Sequence, residues 1–145
     1  MNIAAASQVY AAADSVETIA HLGKTLCIII RARPVPNATT FYTPNDFNLQ
    51  VGKIVYPAGG EIPRHTHRAV NRTVHNTSEV LVVQKGRLMV DLYADDRAFL
   101  YSRELEAGDV IVLMSGGHGF RLIEDTILLE VKQGPYGGQQ EKDRF

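Results

Sequence analysis

The chain has 145 residues, of which 45% are hydrophobic and 21% charged, with a formal net charge of −1. This length and apolar share fit one globular domain with a real core and exclude a disordered chain. Fifteen Lys and Arg against sixteen Asp and Glu leave no basic excess for a nucleic-acid surface, and a lone Cys27 excludes an intramolecular disulfide.

The opening residues, MNIAAASQVY, lack a basic stretch leading into an apolar run, so no secretory signal is expected. Residues 1–24 read as the one helical stretch. Asp14 can cap a helix whose third position is Glu17, with Val16, Ile19 and Ala20 at helical spacing and Gly23 as the terminator. Residues 25–32 (TLCIIIRA) are β-branched and short, hence a strand, with Cys27 as a buried apolar residue. The run from Leu26 to Ile30 is far shorter than the ~20 residues that span a bilayer. A soluble cytoplasmic protein with no membrane or nucleic-acid partner is expected. Residues 33–49 carry Pro34, Pro36, Pro44 and several Asn, which predicts turns around a brief strand at 39–42.

From residue 50 the pattern is repeated short strands, at 50–56, 78–85, 87–93, 99–105, 109–114, 119–123 and 126–132. Gly86, Asp95-Asp96, Gly108, Gly116-Gly117 and Glu124-Asp125 punctuate them. Such spacing predicts an all-β antiparallel sandwich or barrel. The expected organisation is an N-terminal helix and strand extension at 1–49, a β-barrel at 50–133 and a Gly- and charge-rich tail at 134–145.

Four of the five histidines fall between residues 65 and 118. His65 and His67 are two apart, so on a strand both imidazoles project to one face and can converge on one ion. Glu79 opens the apolar run EVLVV, where a carboxylate is awkward to bury unless something positive meets it. His118 follows the turn Ser115-Gly116-Gly117. Three imidazoles and one carboxylate suit Fe, Mn, Ni, Co or Zn. His75, four residues before Glu79, is a rival for the fourth place. By strand parity Phe120 and Leu122 share the face of His118 while Arg121 lies on the other, and Leu81 and Val83 share the face of Glu79.

The segment Gly59-x5-His65-x-His67 followed by Glu79-x6-Gly86 resembles the first motif of the cupin superfamily. Residues 108–118 (GDVIVLMSGGH) resemble its second. Three departures stand out. The spacer 68–78 between His67 and Glu79 is longer than the family's, Met114 replaces a proline, and the second-motif histidine arrives one residue early. The resemblance implies a small jelly-roll barrel in which His65, His67, Glu79 and His118 hold one divalent metal ion (Fe, Mn, Ni or Zn). It also implies dioxygenase or isomerase/epimerase chemistry on a small molecule, or a non-catalytic module that holds the metal structurally and binds a sugar or another metabolite. A homodimer is expected, with the apolar 26–30 segment as one surface that can serve it. No catalytic acid or base is identified; Tyr56 and Glu61 are candidates only by nearness to the first motif.

Overall fold

The structure is a computed structural model describing residues 7–13, as backbone, and residues 15–145. Among the described residues eleven strands alternate with turns: β1 (Ser7–Ala13), β2 (Val16–His21), β3 (Lys24–Ile30), β4 (Thr40–Phe41), β5 (Gly52–Lys53) and β6 (Glu79–Lys85), then β7 (Arg87–Tyr93), β8 (Phe99–Glu106), β9 (Val110–Leu113), β10 (Gly117–Leu122) and β11 (Ile127–Lys132). A six-stranded sheet has the order β1-β2-β3-β9-β6-β11, a three-stranded sheet β10-β7-β8, and β4 pairs with β5. Every described pairing is antiparallel. Apart from the β7–β8 hairpin, successive strands from β6 to β11 change sheet at each turn. The protein is therefore an all-β, two-layer antiparallel assembly. The expected closed barrel is not formed, because among the described residues both sheets have free edges.

The expected N-terminal helix is also corrected. Residues 16–21 form a strand, and Leu22 and Gly23, with φ of 49° and 76°, make a two-residue hairpin turn into β3. Positive φ at both loop positions gives the turn whose twist matches the flanking strands. Gly23 thus reverses the chain where a helix stop was expected. Val16 and Ile19 do share an apolar spacing of three, but they enter separate clusters of buried residues. A strand buried on both faces reproduces the spacing that suggested a helix. Asp14, the expected cap, lies outside the described residues.

The larger cluster sits between the sheets. Ile19, Cys27, Ile29, Ile111 and Val83 from the six-stranded sheet meet Leu88, Val90, Leu92 and Leu105 from the three-stranded one. The smaller lies on the opposite face of the large sheet, where Ile28, Ile30, Val80 and Val112 are covered by Tyr42, Phe47, Leu49 and Val51. The Pro- and Asn-rich segment is thus a lid on the outer face, and only residues 40–41 and 52–53 of it pair as strands. Residues 26–30 are buried in β3, held between β2 and β9, so they serve the chain's own core. Burial pushes the Cys27 thiol up to about 12, consistent with an inert apolar filler.

Two carboxylates tie separate elements together, Asp109 at a turn and Asp91 across three strands. Asp109, almost fully buried, accepts hydrogen bonds from Arg31 Nη1 (2.8 Å), the Ala32 amide (2.9 Å) and the Glu106 amide (3.1 Å). These bonds lock the β8–β9 turn to the end of β3. Asp109→Ala strands three donors and is expected to cost about 3 kcal/mol, read from a lower urea midpoint at unchanged m-value. Asp91 accepts a two-pronged contact from Arg121 (2.7 and 2.8 Å) and a hydrogen bond from the Ser102 hydroxyl, and these hold its carboxyl down at about 2. A depressed carboxyl stabilises the fold above the ordinary Asp pKa of 3.8 and ceases to do so as pH falls toward 2. Unfolding titrations of Asp91→Asn are therefore expected to vary less between pH 4 and 2 than those of the wild type.

Candidate functional site

Glu79 opens β6, in register with Leu113 of β9 and Lys132 of β11. Parity sends its side chain to the inter-sheet face with Leu81 and Val83, and only 6% of the residue is exposed. His118 is the second residue of β10, opposite Leu92. Its approach is set by Gly116, whose φ is 71° and where a Cβ would stand 2.5 Å from the Tyr93 carbonyl oxygen and 2.8 Å from Leu26 Cδ2. A side chain there would be strained and crowded at once, so glycine is required to bring β10 in under the sheet. The result is a contact of 3.1 Å between His118 Nε2 and Glu79 Oε2.

The second oxygen of Glu79 faces Lys142 Nζ at 3.6 Å. The Glu79 carboxyl is held down at about 2, first by the hydrogen bond from His118 and against the opposing pull of burial, with Lys142 and Lys132 adding positive charge. The pair lies in a cavity of about 810 Å³ that is also lined by Leu81, Phe120, Leu128, Glu130 and Lys132. The His118 and Phe120 rings stand 5.6 Å apart, and Arg121 turns to the far side to meet Asp91, as strand parity requires. Leu122, the third residue on that parity, is exposed at the strand end.

His65 and His67 lie elsewhere. They belong to an exposed segment without strand or helix between β5 and β6, and their rings meet edge to face at 5.2 Å. His65 Nδ1 is 2.9 Å from the Pro63 carbonyl oxygen. His75 is exposed in the same segment, as are Tyr56 and Glu61. The structure thus gathers the four expected ligands as two pairs, Glu79 with His118 and His65 with His67. Among the described residues no group of three or more His, Cys, Asp or Glu side chains stands close enough to hold a metal. The first pair fits a divalent ion in chemistry, a nearly buried carboxylate beside an imidazole nitrogen, but supplies only half of a four-ligand set.

The Gly- and charge-rich tail also reaches the cavity. A 3-10 turn at Gln139–Glu141 delivers Lys142 to Glu79, and Phe145 packs edge to face on Tyr93 at 5.2 Å with the Arg97 guanidinium 5.2 Å above its ring. Nothing in a Gly-rich, charged terminus marks one lysine as a partner for a carboxylate more than sixty positions earlier. Among the described residues no helix is long and apolar enough to cross a membrane. No family model, curated protein or solved structure matches the chain.

Lys142 is itself half-exposed and His118 still meets Glu79 when the lysine is removed, so the Lys142 contact contributes ~0.2–1 kcal/mol. Lys142→Ala is therefore expected to speed carboxypeptidase trimming of the tail several-fold, with little change in the thermal midpoint. An unchanged trimming rate would show that the pair does not hold the tail.

Proposed function

We propose that this chain is a metal-dependent protein of the cupin kind, an enzyme that acts on a small molecule in the inter-sheet cavity. On this reading one divalent ion is bound by Glu79 and His118, joined by His65 and His67. The observation that carries the reading is the Glu79–His118 pair. A carboxylate is kept ionised under apolar strands, beside an imidazole, at the wall of a cavity large enough for a metabolite. Burial of such a charge is tolerated only beside positive charge, which Lys142 brings at 3.6 Å and a divalent ion between Glu79 and His118 would bring more fully.

A bound ion with open positions would polarise a carbonyl or lower the pKa of a water, which suits oxygenase or isomerase and epimerase chemistry. The chain's own residues then shape the site. Leu81, Phe120 and Leu128 exclude water, while Lys132 and Lys142 favour a substrate bearing negative charge. The reading puts the protein in the cytoplasm, free of nucleic acid and membrane.

The test is metal uptake. Wild-type protein stripped with chelator and titrated with Co²⁺ is expected to take one ion per chain, and Glu79→Gln or His118→Ala to lower the affinity at least tenfold. Protons compete for imidazole ligands, whose reference pKa is ≈ 6.5, so the affinity should fall below about pH 6. Wild-type protein that takes up no ion at neutral pH, or affinity that is level from pH 7 to 5, would contradict the reading.

A further inference from the structure

Residues 134–145 follow β11 and come round to the cavity, where residues 141–145 form one stretch of its wall. The hydrogen bonds that shape this tail stay within it. The Gly137 amide donates to Glu141 Oε1 at 2.8 Å, and the amides of Glu141 and Lys142 reach back to Gly138 and Gln139 at 3.5 and 3.4 Å. The tail meets the sheets through side chains. Phe145 rests on Tyr93 beside Arg97, the Tyr136 ring stands 5.6 Å from Lys132 Nζ, and Lys142 reaches Glu79. All three anchors are more than half exposed. A segment held by exposed side chains is among the first parts of a fold to open.

The groups that bring positive charge to Glu79 differ in how they are held. His118 is fixed by the pairing of β10 with β7, and Lys132 by the pairing of β11 with β6. Lys132 is also drawn toward Glu130, at 4.0 Å. Lys142 comes from the tail and stands 3.6 Å from Glu79 Oε1, beyond hydrogen-bond length. The group that meets this oxygen is therefore an alkylammonium, in a cavity whose walls include the apolar Leu81, Phe120 and Leu128. When the tail opens, the carboxylate keeps His118 and loses its second positive neighbour. A nearly buried carboxylate short of positive charge is unfavourable, so whatever replaces the tail must bring a cation of its own.

We infer that the tail is a strap that fills part of the cavity with its own Lys142, and that a small primary alkylammonium compound opens it by taking the lysine's place on Glu79. Lys142 is a tethered competitor, present at an effective concentration set by the tail. Linkage then ties two effects together. Ligand binding frees the tail, and removal of the tethered lysine strengthens ligand binding. A neutral alcohol of the same length cannot replace the charge and leaves the strap in place. The inference needs only the Glu79 carboxylate and stands apart from the metal reading. A divalent ion on Glu79 would displace Lys142 by the same rule.

The experiment uses the full-length chain with chelator present throughout, so that no metal ion contributes. The probe is n-butylammonium, the lysine side chain without its backbone, and 1-butanol is its neutral control. Binding is followed by the chemical shifts of the β10 backbone amides. Wild-type protein is expected to bind butylammonium saturably and butanol not at all. Lys142→Ala should bind the amine at least threefold more tightly, and Glu79→Gln, which keeps the side-chain volume, should lose it. Saturating butylammonium should also speed carboxypeptidase trimming of the wild-type tail several-fold while a free peptide of residues 134–145 is trimmed at an unchanged rate. Equal affinity in wild type and Lys142→Ala, butanol that shifts the same amides as strongly, or a tail as protected at saturation as without the amine would each overturn the inference. None of these outcomes bears on Co²⁺ uptake, which tests the metal reading separately.

Discussion

A single charged group constrains the layout of this molecule. Glu79 begins an apolar strand with its carboxylate turned toward the inter-sheet space, where an unpaired charge would cost several kcal/mol, a large fraction of a small domain's stability. Its two oxygens meet His118 and Lys142, one on the strand that leaves the Gly116 turn, the other on the tail. The positions of β10 and of the C-terminal residues follow from that requirement as much as from apolar packing. The cavity beside Glu79 is what the three-stranded sheet leaves uncovered on the six-stranded one.

Much of the β architecture was legible because local and global signals agree. The runs at 78–85, 87–93, 99–105 and 126–132 combine β-branched or alternating residues with Gly or Asp turns, and each is a strand within a residue or so. The Asp95-Asp96 turn is formed as read, with the Ala98 amide donating to Asp96 Oδ1. Residues 14–23 misled because a sheet buried on both faces can mimic helical spacing over one short strand, and because glycine both stops helices and makes hairpins. The strand read at 50–56 shrinks to Gly52–Lys53, since Val51 is drawn instead into the lid over the outer face.

The candidate site was legible by halves. Strand parity was sufficient to bring Glu79, His118 and Phe120 to one surface, since each lies on a regular strand. For His65 and His67 parity holds only if the segment is extended and paired, and the Pro- and Gly-bearing arm is not paired in the structure. Periodicity fixes which way a side chain points on a strand but not whether its segment pairs as a strand at all. Lys142 lay beyond reach for a related reason: nothing local specifies a contact between a terminal turn and the head of a distant strand.

The account stands or falls on how many imidazoles surround a bound ion. X-ray absorption at the cobalt edge of the loaded wild-type protein counts them directly through the multiple scattering of the imidazole rings. The account predicts three imidazoles and one carboxylate about each cobalt. A spectrum fitted by one imidazole, or by oxygen ligands alone, would contradict it.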